Sequence, residues 1–538
     1  MIKKFKLYIL LAAVVLSTTS CLDKMPEDSI PFDEAIQTVD DVNLAVIGIY
    51  DAFKSSSLYS GSLTLLPDLQ TDLVYGVNGN TNIYGEIWRW KDILATNTNI
   101  EGVYAALYNV INRCNFLLDR VDNVRKNTTN DDDLDLIDQC CGEAYFARAI
   151  AYSELVKLFC KAYESDEDAA NQLGVILTRH YKGNEEMKRA SLKDSYQFIL
   201  DDLDLAAELL ALDKDFQPTG KDALYNTAAF FNEYTVYALR ARVALYMRKW
   251  DEAIKYSSKV IDSNYYLLSS CTNYVSENVS YDKYMWTSDL STEAIWKVGF
   301  TVNSYGGSLG QIFFNYDYSS YRPDYVPATW AINSYDSNDL RVSSFFQTYT
   351  TGYSHGLSWP LLIKYLGNEE FTNAQILHVS MPKVLRLSEQ YLIRAEAYVQ
   401  QAQPDYGRAG KDITTLRTAR YSTYGGSTAL SASNAMEVIE AERVKELYME
   451  GFRLHDLKRW HKGFERKPQD QSLANGSSLN WMLPVRRFNR MKVTNRLKAY
   501  DNEEIIIRMY SSRCCSDGSF RMRSGQGGIQ RTQLSYVF

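Results

Sequence analysis

The sequence predicts a mainly α fold: degenerate tetratricopeptide-like helical repeats carrying a loop-rich, aromatic-rich portion. Three observations predict it. Apolar residues recur at helical spacing over most of the chain. Helical segments come in pairs with almost no linker, and two stretches interrupt the pattern with glycine, asparagine and aromatic residues together.

In chain order, Asp40 to Phe53 sets Leu44, Ile47 and Phe53 at helical spacing, and Asn109 to Val121 does the same with Ile111, Phe116, Leu117 and Val121. A longer helix is expected from about Asp132 to Phe159. Ser191 has the side chain of an N-cap and opens a stripe through Tyr196, Ile199, Leu203, Ala206 and Leu210. Phe231 to Arg248 and Trp250 to Ile261 follow one another almost without a break, and Val384 to Thr418 forms a further pair. In Trp250-Asp251-x-Ala253-x3-Ser257 a large residue faces small ones one and two turns on, as in the interlocking faces of tetratricopeptide repeats. The irregular spacing makes the scaffold degenerate and not a regular solenoid.

The first interruption runs from Ser60 to Thr98 and holds Tyr75, Tyr84, Trp88 and Trp90. The second lies within an insertion of about 270–375, where Tyr281 to Tyr335 carries 14 aromatics in 55 residues against 13% for the chain. Long non-helical insertions in a helical body are usually either functional or disordered. Trp296 and Phe300 follow Glu293 in strand-like alternation and read as core.

Composition narrows the function. A formal charge of −8 opposes nucleic-acid binding, which calls for a basic face. Eight cysteines are scattered without a C-x-x-C pair and read mostly as small core hydrophobes. The 40 tyrosines fit either half-buried packing or recognition of polar ligands that have apolar faces. Lys3, Lys4 and Lys6 precede the apolar run Leu7 to Leu16, and Ser17 to Ser20 leads into Cys21. That order is a bacterial lipoprotein export signal over residues 1–20, with Cys21 the acylated residue. The run is too short to span a bilayer. H-E-x-x-H, G-x-S-x-G and G-x-x-x-x-G-K are absent, and His180, His355, His378, His455 and His461 show no metal-ligand spacing. His455 and His461 are expected on a solvated helix end. No cofactor, metal or catalytic residue is expected.

Four motifs carry a family resemblance. They are Tyr196-x2-Ile199-x-Asp201-Asp202-Leu203-x2-Ala206; Ala238-Leu239-x-Ala241-Arg242-Val243-x-Leu245-Tyr246 with Trp250-x2-Ala253; Arg386-Leu387-x-Glu389-x-Tyr391-Leu392-Ile393-Arg394-Ala395-Glu396-Ala397-Tyr398; and Glu442-Arg443-x2-Glu446-Leu447-x2-Glu450-Gly451-x-Arg453-x2-Asp456-Leu457-x-Arg459-Trp460. With Cys21-Leu22-Asp23, the chain to about Val485 resembles the SusD/RagB family, starch-utilisation-type nutrient-binding lipoproteins. Read physically, the motifs are scaffold. Leu387, Tyr391 and Ala395 make a stripe, and Glu389 and Arg394 are expected in interhelical ion pairs. Arg443 is expected beside Glu446 and Glu450, and Asp456 beside Arg459 and Trp460. The resemblance implies one nutrient-binding domain over residues 21–485. Family members end soon after Leu-Pro-Ile/Val-Pro, whereas Leu483-Pro484-Val485 here leads into 486–538, with 11 basic and 4 acidic residues. That tail reads as a shifted reading frame or recombinant boundary without a designed fold, the alternative being a divergent native tail.

The resemblance implies an outer-membrane, surface-exposed, lipid-anchored protein that binds oligosaccharide and passes it to a SusC-type TonB-dependent transporter, acting as a hinged lid. A sugar offers an apolar face and a rim of hydroxyls, so its site needs aromatic platforms edged with amide or charged groups. The candidate platforms are Tyr84, Trp88, Trp90, Tyr284, Trp286, Tyr305 and Trp330. Asn78, Asn82, Arg89, Asn303 and Arg322 are the candidate rim. Three alternatives stay open: a peptide-capturing relative, a glycan-degrading enzyme working through a carboxylate pair, and a structural subunit without a ligand.

Overall fold

Side-chain caps start most of the long helices. The computed structural model describes residues 35–91, 93–94, 96–181, 188–211, 228–316, 319–353 and 358–466. Cys21, the signal and 486–538 lie outside them. Thr38 and Asp41 form a reciprocal capping box that opens Val39–Ala52, and Asn232 with Thr235 does the same for Glu233–Tyr246. Asn130 accepts from the backbone of Asp132 and Asp133, starting Asp131–Phe159 with three aspartates against the positive helix end. Ser191 caps Leu192–Leu209 through the Asp194 N–H at 3.0 Å, as expected.

Asp131–Phe159 is the hub. Its second half is buried on all sides, with Ala144, Ala147, Ala149 and Ala151 letting neighbours approach. Val39–Ala52, Thr98–Leu118 and Leu192–Leu209 pack around it. The layers continue through Glu233–Tyr246, Trp250–Ile261, Leu387–Gln400 and Tyr406–Arg420, each packed on the one before. This is a helix-rich body of stacked pairs. Of the stripe expected on the first helix, Phe53 is buried but the other two residues lie on the opposite face. Leu44 and Ile47 are exposed, and Val42, Val46, Ile49 and Phe53 face the core, because the i, i+4, i+7, i+11 series meets the hub. Trp296 and Phe300 are core as expected, with Trp296 ringed by Phe53, Tyr59, Phe146 and Phe231. Cys114, Cys140, Cys141, Cys160 and Cys271 are buried free thiols.

Short antiparallel pairs tie the loop portion to this body. Ala294–Lys297 pairs with Lys383–Arg386, closing the base of the second insertion. Val74–Gly76 pairs with Tyr325–Pro327 in the register Tyr75↔Val326, so the two aromatic-rich stretches meet despite their separation in sequence. Phe346–Thr350 and Ser358–Leu362 form a hairpin. Together they enclose a second core that includes Leu69, Trp88, Trp286, Phe313, Phe314, Tyr325, Phe346 and Tyr448.

Buried ion pairs lock the loop portion to the helices. Glu446 accepts from Arg386 at 3.0 Å, Arg420 at 2.9 Å and Arg341 at 3.1 Å, while Glu293 takes Arg386 at 2.6 Å and Arg420 at 2.8 Å. Burial works to raise the Glu446 carboxyl, but the guanidiniums of Arg420, Arg386 and Arg341 hold it well below the usual range. Glu389 pairs with Arg242, and Arg394 with Asp412, as the interhelical reading expects. The expected local partners of Arg443 are not its partners. It reaches across to Asp456 at 2.7 Å, while Arg459 pairs with Asp456 at 2.9 Å along the same helix, as expected, and also reaches Glu396 on a neighbouring one. His455 is also not solvated. It is buried, and burial together with Lys157, Lys458 and Arg242 pushes its pKa well below the ordinary histidine value.

Candidate functional site

Tyr316, Tyr321, Tyr349, Tyr353 and Trp359 form an aromatic surface on the loop portion. The hairpin register sets Tyr349 opposite Trp359. Tyr321 meets Tyr349 edge-on at 5.1 Å and Tyr316 at 5.4 Å, and Tyr353 lies 6.5 Å from Trp359. Gly352 donates to the Tyr321 carbonyl at 2.9 Å, holding the hairpin to the 319–323 segment. Beneath them Phe314 packs 5.2 Å from Tyr321 and stacks on His378 at 5.0 Å. Phe314 is fully buried, while Tyr316 keeps 42% of its surface and Tyr321, Tyr349, Tyr353 and Trp359 are half-buried. A buried floor with rings edging into solvent makes a fixed, partly wet aromatic face.

The Tyr321, Tyr349 and Tyr353 hydroxyls stay protonated. Burial raises the pKa of Tyr321 and Tyr349, and it carries Tyr353 to about 12 with help from Asp324 and against Arg322. The Tyr353 hydroxyl itself donates to the Pro323 carbonyl at 2.8 Å, fixing that ring. Arg322 is exposed, with its guanidinium 6.0 Å from the Tyr353 ring. Beside it the 77–83 loop is clamped by Asp324, whose buried carboxylate takes the Thr81 N–H and Oγ1 at 2.7 Å each. The clamp leaves Asn78 and Asn82 exposed. Gly79 sits against Tyr353, where a Cβ would lie 3.9 Å from the ring and a φ of +83° favours glycine.

The expected platforms fall elsewhere. Trp88 is 1% exposed, its indole donates to the Val74 carbonyl at 3.1 Å, and the Arg466 guanidinium covers it. Trp286 is 2% exposed under Lys364, Lys383 and Arg386. Both belong to the second core and present no face to a ligand, which corrects their reading as platforms. Trp90 and Trp330 are half-buried, with indoles donating to Gln70 at 2.6 Å and Asp72 at 2.8 Å. The half-buried Tyr84 bonds Ser62, and Arg89 is held by Asn82 at 2.7 Å. Tyr284 is half-buried on the Tyr281–Thr287 helix, and Tyr305 is exposed beside Phe371. Asn303 is exposed. From the expected set the array has Arg322 near Tyr353 and Asn78 next to Gly79, whereas the Asn82 amide is held at Arg89 and Gly85; sequence reasoning missed the five rings. Tyr349, Tyr353 and Trp359 lay within the 270–375 insertion, but beyond the stretch where aromatic density is highest.

Comparison with known proteins places the chain. A family model described as starch-binding associating with outer membrane matches residues 22–245, and one described as SusD family matches 353–511, running on past Val485. The chain belongs to the SusD/RagB family. A SusD superfamily protein from Bacteroides thetaiotaomicron superposes with a TM-score of 0.68 at 20% identity, covering 84% of this chain and 98% of that one. A SusD-like carbohydrate binding protein from Bacteroides vulgatus gives 0.64 at 21%, covering 81% and 86%. Surface glycan-binding protein A from Bacteroides fluxus gives 0.57 at 18%, covering 78% and 89%. These likenesses show a shared fold. No curated protein matches the chain. Among the described residues no helix is long and apolar enough to cross a membrane.

Proposed function

We propose that the protein captures oligosaccharides at the cell surface, anchored to the outer membrane through lipid on Cys21, and hands them to a SusC-type TonB-dependent transporter over which it closes as a lid. The observation that carries the reading is the face of Tyr316, Tyr321, Tyr349, Tyr353 and Trp359, with Arg322 near Tyr353 and the exposed Asn78 next to Gly79, which abuts the same ring. Ring faces take the C–H side of a sugar, and the amide, guanidinium and phenols bond its hydroxyls. An open surface of this kind tolerates a long chain. The family description, and the carbohydrate- and glycan-binding names of two structural neighbours, support the ligand class. The reading is of a binding protein and not an enzyme. The test is retention of the protein in native gels cast with a panel of polysaccharides, beside a peptide panel, with product analysis of each mixture. Retention by one polysaccharide without cleavage is expected. Cleavage products would make it an enzyme, and retention by peptides alone would move it to peptide import.

A further inference from the structure

The Tyr406–Arg420 helix and the loop after it enclose an open cavity of about 370 Å3, well away in sequence from the aromatic face. We propose that this cavity is a second binding site, for a single anionic sugar unit such as a uronate or a sulfated hexose. Its volume falls within the roughly 300–1,000 Å3 of small-molecule sites.

The cavity follows from how the helix is used. Ala409, Ile413 and Leu416 are buried in a core shared with Leu392 and Ala395, Tyr406 packs partly against that core at the cavity's edge, and Gly410, Lys411 and Thr414 lie on the side that faces the cavity. The loop crosses that side at one point. The Thr428 N–H donates to Thr414 Oγ1 at 2.8 Å, and the Thr428 hydroxyl bonds the Tyr424 hydroxyl at 2.6 Å. Its carbonyl comes so near Gly410 that a Cβ there would lie 2.3 Å from the oxygen, so only glycine admits the crossing. Pinned in this way, Ala429 and Leu430 become the opposite wall. Gly425 and Gly426 have no atom within 4 Å of their Cβ positions, so the chain leading into the crossing is uncrowded.

The lining sets the ligand class. Tyr406, Leu430 and the two glycines Gly407 and Gly410 offer flat apolar surface, and Ser427 adds an exposed hydroxyl. Lys411 is the single charged side chain of the lining. The nearby acid, Asp405, is committed to the helix cap, accepting from Arg408 N at 2.9 Å and Arg408 Nε at 2.6 Å. A cleft with an aromatic wall, a hydroxyl and one ammonium as its only charged lining group suits a sugar carrying a carboxylate or sulfate.

The test is ligand-observed saturation-transfer NMR on the full chain with galacturonate, galactose 6-sulfate and galactose as probes. The wild type is expected to favour one or both acidic sugars over galactose. Lys411→Met, which keeps the stem and removes the charge, is expected to weaken that binding roughly tenfold. The Tyr349→Ala, Trp359→Ala double variant should leave it unchanged, which separates this site from the aromatic face. Preference for only one acid would identify the anionic group. Equal binding of all three sugars, no effect of Lys411→Met, or loss in the double variant would overturn the proposal.

Discussion

Trp359 and Trp88 carry the same ring and opposite duties, and burial separates them. Trp359 is half-buried at the edge of the hairpin, so replacing it removes a ligand contact more than a core contact. Tyr349→Ala with Trp359→Ala is expected to weaken polysaccharide binding tenfold or more, at about 0.5–1.5 kcal/mol for each aromatic contact. Unfolding free energy should fall by no more than about 2 kcal/mol. Trp88→Ala should do the reverse, costing about 3–5 kcal/mol in denaturant unfolding, because it empties a ring-sized volume and strands the Val74 carbonyl. A Trp88→Ala variant of wild-type stability would return that ring to the list of platforms. Aromatic type alone cannot assign such residues. Trp286 lies in the same aromatic-rich stretch as Tyr316 and Tyr321, yet it is buried under Lys364, Lys383 and Arg386, and Trp88 is buried in the same second core.

Elements show which signals are local. Ser191 was legible as an N-cap because its partner is three residues away, and Thr38 is satisfied in the same way. The cap of the Arg453–Arg459 helix was not legible, since Asp68 supplies it from the other end of the chain by accepting from Gly451 N and Arg453 N at 2.8 Å each. Burial raises the Asp68 carboxyl from 3.8 to about 7, with Asp456 and Glu450 adding to the shift and the two backbone bonds opposing it. Between about pH 4 and 7 the folded state thus holds more protons at this site than the unfolded state, and its contribution to stability falls as pH rises. Asp68→Asn removes the titration. Equilibrium unfolding across that window should show the variant gaining on the wild type as pH increases, by a few kcal/mol at most. A difference independent of pH would mean that Asp68 titrates at its ordinary value. The Val39–Ala52 helix teaches a related lesson: its existence was periodic and legible, but Leu44 and Ile47 form an equally regular stripe, and only the position of Asp131–Phe159 selects Val42, Val46 and Ile49.

At the scale of the molecule, the helical body and the loop portion are joined through charge. Glu293 and Glu446 sit fully buried among Arg341, Arg386 and Arg420. Removing one acid leaves guanidiniums without compensation, so Glu446→Ala is expected to cost about 3–5 kcal/mol and to leave polysaccharide binding by the remaining folded protein intact. A stable Glu446→Ala protein would show that the network is not what holds the two portions together. The scaffold was legible because its motifs repeat helical spacing, as in Arg386 to Tyr398. The site was less so, because Tyr321, Tyr349 and Trp359 converge only through a hairpin and isolated bridges that no local period announces. The measurement that tests the account most directly compares the wild type with the Tyr349→Ala, Trp359→Ala variant in native gels containing the polysaccharide that retains the wild type, with thermal unfolding followed in parallel. The account predicts that retention is lost while the unfolding temperature stays within a few degrees; undiminished retention of a folded double variant would contradict it.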